Sequence, residues 1–473
     1  MVDSTATDPG QKMVQRAIAV GIGNFMEWFD FAVYGFFAII IGKEFFGSDS
    51  PVVGALSALA VFAVGFFARP LGGFILGPIG DRFGRRTSLT ISVVGMGLAT
   101  GLIGFVPPYA SIGVVAPLLL VLLRCVQGLS AGGEWTGSAS FLLESGSSRH
   151  RGLLASVISG TAALATLVGS LCALLLNSTL SPADLASWGW RIPFWCAIPV
   201  AAIGLFLRLR LNETPVFEEM RKKRTDQGSH LTRSFKTSLR PILLTIAFAS
   251  VEGLGYYYLG TYVTNYLQVS VKLAPVTALA LAGTGIFLYT CMTPIAGALS
   301  DRYGRRPLNI IGTIGFIVLT VPIFVMMGTG NSALTIVGLI LFGACLALTN
   351  VTTTVMVVEL FPASTRMSGA SIGFNIALAF VAGPGPYVGT WLAATFDSKI
   401  APAYYMVAVS LIAVVVLIRW LPESRMRDLN DEDGTWYLKK TDSGSTGVGG
   451  ATDDPEARVP SPRPQHSPTG SNT

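Results

Sequence analysis

Glu27 and Asp30 stand three residues apart inside an apolar stretch, Asn24-Phe25-Met26-Glu27-Trp28-Phe29-Asp30-Phe31-Ala32-Val33-Tyr34. At helical spacing the two acids and Tyr34, four residues further on, share one face. A carboxylate inside hydrocarbon is costly; it marks either a substrate or proton path, or a buried structural ion pair. A second stripe offers a partner. Arg124, Gln127, Ala131, Glu134 and Ser138 fall within about 80° of one another around a helix. The run Gln127-Gly128-Leu129-Ser130-Ala131-Gly132-Gly133-Glu134 also lets another helix approach closely. The expectation is that Glu27 and Asp30 meet this stripe. Glu27, Asp30, Arg124 and Glu134 would then couple a proton to a substrate, an acid being displaced from an arginine that keeps its charge.

Further along, Glu252 precedes Tyr256-Tyr257-Tyr258 and Tyr262 in one apolar stretch. A buried acid among aromatic faces suits a small cation or zwitterion; a tyrosine belt at a membrane interface has the same composition. Asn350 and Asn375 are either cavity groups or helix–helix hydrogen bonds. With Tyr34, Gln127, Glu252 and Tyr256 they make up the expected substrate cavity. Gly383-Pro384-Gly385-Pro386 must kink its helix. Phosphate loops, zinc spacings and nucleophile motifs are absent from the sequence. His150, His230 and His466 fall in loops or the tail, and none of the five cysteines is in CxxC spacing. The chemistry is therefore not enzymatic, with no metal and no cofactor beyond the proton as coupling ion.

What must position these residues is a membrane fold. Hydrophobic residues make up 51% of the chain and charged residues 13%, about half the charged share of a soluble domain. The net charge of +6 does not signal nucleic acid, because the basic residues lie in short loops between apolar spans. Twelve stretches approach or exceed the ~20 apolar residues that cross a bilayer: 17–42, 53–79, 88–107, 115–143, 153–177, 190–211, 240–268, 275–299, 307–328, 333–358, 367–395 and 401–421. The fold class is an all-α membrane protein of two six-helix bundles, 17–211 and 240–421. A cytoplasmic segment 1–16, a linker 212–239 and a tail 422–473 complete the chain, the last ~35 residues of the tail disordered on composition.

The halves repeat. Gly80-Asp81-Arg82-Phe83-Gly84-Arg85-Arg86 returns as Ser300-Asp301-Arg302-Tyr303-Gly304-Arg305-Arg306, a diverged internal copy of the kind transporters use. Asp81, Arg82, Arg85 and Arg86, with Asp301, Arg302, Arg305 and Arg306, can bridge helix ends in one conformation and release them in another, as a gate; they also serve as positive-inside anchors. Arg69 reads as a structural lock beside the first turn. Glu144 with Arg149 and Arg151, and Glu359 with Arg366, form a second repeated acid–base set. Lysines and arginines crowd one set of loops, which places both turns and both termini in the cytoplasm.

The paired turns resemble the signature loop of the major facilitator superfamily. Asn24 to Tyr34, Arg69-Pro70-Leu71-Gly72-Gly73, Gln127 to Glu134 and Trp188-Gly189-Trp190-Arg191-Ile192-Pro193-Phe194 are similar to the metabolite:proton symporter family within it, over about residues 17–425. The resemblance implies twelve helices, a central cavity and uptake of a small polar metabolite with protons, by a monomeric unit in the bacterial cell membrane. Gly255 to Leu267, Phe374-Asn375-Ile376 and Pro402-Ala403-Tyr404-Tyr405 look most like the proline/betaine branch. The tail lacks the heptads of that branch's osmosensory member, which separates transport from osmotic regulation. Organic-acid uptake is the alternative, since Arg124 also suits a carboxylate; a drug exporter, a channel and a receptor-like binding protein are more distant rivals.

Overall fold

The computed structural model describes residues 9–48, 50–83, 85–144, 146–209, 239–362 and 366–429. Most of the linker and of the tail, and the first eight residues, lie outside these. By its contacts the chain falls into Met1–Gly434 and Thr435–Thr473; the second unit has no described residues. Among the described residues every regular element is a helix, as hydrocarbon requires of a chain whose backbone groups must satisfy one another.

Twelve spans follow in order. Span 1 is Pro9–Phe36 continued by Ala38–Phe46, bent by 67° between the two pieces. Spans 2 and 3 are Pro51–Phe83 and Arg85–Ile103; span 4 is Val115–Ala131 followed by Glu134–Glu144. Spans 5 and 6 are Arg151–Thr179 and Ile192–Leu209. Span 7 runs Leu239–Tyr257, a π-helical turn Tyr258–Tyr262, then Val263–Val269. Spans 8, 9 and 10 are Pro275–Tyr303, Arg305–Gly328 and Ser332–Glu359. Span 11 is Arg366–Ala377, a π-helical turn Leu378–Ala382 and Gly385–Thr395; span 12 is Ala401–Trp420. Ten of these stretches are long and apolar enough to cross a bilayer unaided. The bent pair of span 1 makes an eleventh, and span 3 contributes a shorter apolar helix, Thr90–Ile103.

The breaks have local causes. Span 1 bends one residue after Gly35 and Phe36, where the Asn265 side chain donates to the Gly35 carbonyl at 3.0 Å; an inserted side chain is a recognised cause of a kink. In span 11 the π-helical turn ends at Gly383-Pro384, and Phe66 of span 2 fills the space where a Cβ on Gly383 would stand. Spans 2 and 4 touch backbone to backbone. A Cβ on Gly128 would lie 1.9 Å from the Gly65 carbonyl oxygen, and one on Gly132 2.2 Å from that of Arg69. The first six spans meet the last six chiefly where span 5 packs on span 8 and span 2 on span 11, pairings exchanged by the internal repeat.

Candidate functional site

Span 1 brings its two acids to different arginines. Asp30 Oδ2 accepts from Arg124 Nη1 of span 4 at 3.1 Å. Glu27 Oε1 accepts from Arg69 Nη2 of span 2 at 2.6 Å. Residues three apart on a helix differ by roughly 60° in direction, enough to aim at adjacent helices. Only Asp30 is therefore paired with the arginine of the span-4 stripe. All four charged groups are at most 1% exposed. A buried pair of this kind is strongly disrupted when one partner is lost, since the other charge stays in a low dielectric.

Each arginine is held by aromatic faces as well. The Arg124 guanidinium lies 3.8 Å from the Tyr34 ring centre and 5.8 Å from that of Phe31. The Tyr34 hydroxyl donates to the Ala58 carbonyl at 3.0 Å. Gln127 donates to Thr100 of span 3 at 2.8 Å. Glu134, from the same stripe, accepts from Ser92 of span 3 at 3.0 Å. Span 4 thus spreads its polar face between span 1 and span 3.

Arg69 is a central residue and not part of the turn. It stands twelve positions before Asp81 on one helix, about 18 Å at 1.5 Å per residue. Besides Glu27 it donates to Asn375 Oδ1 of span 11 at 3.3 Å, and Asn375 in turn donates to the Gly132 carbonyl at 2.7 Å. One chain of bonds therefore links spans 1, 2, 4 and 11 across the two halves. Trp135 of span 4 stacks on Phe374 of span 11 beside it, ring centres 3.9 Å apart and planes 6° from parallel. Such a stack adds about 1 kcal/mol to the area it buries.

The second half supplies Glu252, 2% exposed and hydrogen-bonded by the Asn350 amide of span 10. Its Oε2 has no hydrogen-bond partner among the described residues. One turn on, Tyr256 packs on Trp28 of span 1 with ring centres 4.5 Å apart, and Tyr257 lies 6.0 Å from the same indole. The Tyr256 hydroxyl shares a 2.7 Å hydrogen bond with Thr166 of span 5, and Tyr289 of span 8 stands 6.3 Å away. Thr166, Tyr256, Gly260, Ile286 and Tyr289 line a small crevice between the halves. Spans 1, 5, 7, 8 and 10 thus converge on one aromatic cluster around an acid. Tyr258 and Tyr262 point elsewhere, into a ladder with Tyr266 and Phe324 of span 9. Trp28, Thr166 and Tyr289 were not singled out by sequence reasoning, and of these only Trp28, by its position between Glu27 and Asp30, could have been; Tyr257 belongs to the tyrosine run read beside Glu252.

At the end of the bundle carrying the repeated turns, acids and arginines pair across the halves. Arg366 Nη1 donates to Glu144 at 2.6 Å, and Arg151 Nη1 to Glu359 at 3.4 Å. The expected Glu144–Arg151 and Glu359–Arg366 sets are thus exchanged. Arg305 also reaches Glu359, at 3.3 Å, and Asp301 at 3.1 Å. Asp301 accepts from the Gly152 and Leu153 amides at 2.7 and 3.0 Å, capping the start of span 5 from the opposite half. Arg302 lies over Tyr303, and Arg306 donates to the Ile418 carbonyl. The segment after span 12 joins this web. Ser424 and Arg427 bond Glu359, while the Arg427 and Leu429 carbonyls accept from Arg151 and Arg366. The side chains of Asp81, Arg82, Arg85 and Arg86 lie outside the described residues.

The arrangement is that of a carrier, with charge buried at the midpoint between two repeated halves and a pairing web at one end. The sequence profile described as Major Facilitator Superfamily matches residues 20–384 and 274–449. The chain is 35% identical over 426 residues to the proline/betaine transporter of Escherichia coli K12, covering 87% of this chain and 84% of that one. It is 34% identical over 424 residues to the glycine betaine/proline/ectoine/pipecolic acid transporter of Dickeya dadantii, covering 87% and 84%. It is 31% identical over 415 residues to a putative proline/betaine transporter of Staphylococcus aureus, covering 86% and 88%. Among solved structures, a D-xylose–proton symporter superposes with a TM-score of 0.70 at 18% identity, covering 88% of this chain and 99% of that one, a likeness of fold. The chain belongs to the major facilitator superfamily and is a multi-pass membrane transport protein, not an enzyme.

Proposed function

We propose that the protein imports a small zwitterion of the proline or glycine betaine type together with protons, by alternating access. The observation that supports this best is Glu252 set among Trp28, Tyr256 and Tyr257 without a described cationic partner. Aromatic faces backed by an acid suit an ammonium group that cannot itself be strongly hydrated. The relatives named as proline and betaine transporters favour the same class. Asp30, held by Arg124 away from that cluster, is the acid assigned to proton coupling. The halves 17–211 and 240–421, joined by 212–239, are the moving bodies. The crossed pairs Glu144–Arg366 and Arg151–Glu359 form their gate, on the cytoplasmic side of a bacterial inner membrane with both termini inside. The functional unit is one chain.

A second reading, organic-acid uptake, draws support from the buried Arg69 and Arg124. Uptake into proteoliposomes separates the two. Labelled glycine betaine or proline accumulates under an inward proton gradient and stops with a protonophore if the zwitterion reading holds. Accumulation of labelled 2-oxoglutarate or citrate, with neither betaine nor proline taken up, overturns it.

A further inference from the structure

Both ends of the central cluster carry a hydrogen bond left unmade. Arg69 is 1% exposed and donates through Nε and Nη2, yet its Nη1 has no acceptor among the described residues. Glu252 is 2% exposed, and its Oε2 has no donor there. A buried polar atom without a partner costs about 1–3 kcal/mol and needs an explanation, such as an absent partner. Aromatic rings fill the interval. Phe66 lies 5.8 Å from the Arg69 guanidinium and 4.8 Å from Tyr257; Tyr257 faces Trp28, and Trp28 faces Tyr256 one turn beyond Glu252. Tyr257 keeps its hydroxyl without a partner among the described residues.

Arg124 differs. Its ion pair and its aromatic faces, Asp30, Tyr34 and Phe31, all come from span 1 of the first half. Arg69 touches span 11 of the second half through Asn375. A substrate site that changes exposure as two halves rock must be reachable from both.

Resting on the zwitterion reading above, we propose that the substrate lies lengthwise between Arg69 and Glu252. Its carboxylate takes the open Nη1 of Arg69, and its ammonium sits among Trp28, Tyr256 and Tyr257 against Glu252. The positive and negative ends of the site then match those of the ligand. A cation without a carboxylate, or a carboxylate without a cation, meets only one of them. The rings now pack on one another, so they must part to admit it.

Equilibrium binding to the purified full-length protein tests this, with glycine betaine and choline as probes, choline being the cation without the carboxylate. In the unaltered protein betaine should bind at least about tenfold more tightly than choline, the value of one charge-assisted contact. Arg69→Gln should remove that preference, weakening betaine by about tenfold and leaving choline unchanged. Glu252→Gln should weaken both. Where Arg69→Gln fails to fold, Arg69→Lys serves, since an ammonium keeps the charge without the planar fork; betaine should still weaken and choline should not. The assignment is overturned if the arginine variant weakens both probes equally or neither, or if Arg124→Gln gives the betaine-selective loss instead. Failure of the zwitterion reading looks different: the folded unaltered protein then binds neither betaine nor proline, and the lengthwise site falls with it.

Discussion

Glu144 and Arg366 are 222 positions apart in the chain and 2.6 Å apart in space, and their repeat-related counterparts Glu359 and Arg151 answer them at 3.4 Å. Each acid thus meets an arginine of the other half, Glu359 keeping Arg305 of its own half as well at 3.3 Å, so separating the halves at this end breaks both crossed pairs together. The two are not equal in burial. Glu144 is 34% exposed although its partner Arg366 is only 3% exposed, whereas Arg151 and Glu359 are 6% and 0% exposed. A half-exposed pair is partly screened by water and loses less on truncation, while removing one member of a fully buried pair costs about 3–5 kcal/mol. Glu359→Ala, which strands both Arg151 and Arg305, should therefore destabilise the purified protein more than Glu144→Ala, read as the drop in thermal midpoint. Equal effects would mean that the web is held by something other than these pairs.

Asp30→Asn removes the negative charge beside Arg124 while keeping the shape of the side chain. Gradient-driven accumulation of betaine should be lost, since no acid remains there to take and release a proton. Exchange of labelled for unlabelled substrate across the membrane should persist, because it needs no net proton movement. Full accumulation by the variant, with normal amounts in the membrane, would take Asp30 out of the coupling step.

The twelve spans were legible because their apolar runs are long and their charges are confined to the turns. The breaks were less so. The bend of span 1 is set by Asn265, more than two hundred residues away, and a local pattern cannot report a distant side chain. The repeat explains the crossed pairs after the fact. Glu144 and Arg151 bear the same sequence relation as Glu359 and Arg366, so spacing favours pairing within a half, and only the packing of the halves selects the exchange. Arg69 was misread for a related reason. Helical periodicity says which way a side chain points from its own axis, but not which neighbour stands there; nearness in sequence to the turn suggested a lock, and 18 Å or so of helix put it beside Glu27. The close approach implied by the glycines of Gln127 to Glu134 is seen with span 2.

That approach makes a contrast between two glycines five residues apart. Gly128→Ala would drive a methyl to 1.9 Å from the Gly65 carbonyl, whereas a Cβ on Gly133 meets nothing within 4 Å. Backbone cannot retreat as a flexible side chain can, and overpacking costs about 1–3 kcal/mol or more. Gly128→Ala should lower the thermal midpoint and the yield of folded protein, and Gly133→Ala should change neither by much. The reverse order would show that spans 2 and 4 do not pack through this face.

The end of the bundle opposite the turns closes by different means. There Asn265 of span 7 donates to the Gly35 carbonyl of span 1 at 3.0 Å and to its own Thr261 carbonyl at 2.8 Å. Thr261 itself presses on Gly35, where a Cβ would come within 2.5 Å of it. Asn265 therefore joins the bend of span 1 to the π-helical turn of span 7, which π-bulges often make a point of adjustment. No charge is involved, so the contact is weak, about 1 kcal/mol for a neutral hydrogen bond. Asn265→Ala should leave the fold intact and tilt the balance toward opening at this end by about fivefold, the equivalent of that energy. A single cysteine placed at Thr264, buried beside it, should then label faster with a membrane-impermeant thiol reagent, while the crossed pairs keep the turn end shut. Unchanged labelling would show that Asn265 only supports span 7 and takes no part in holding the two halves together.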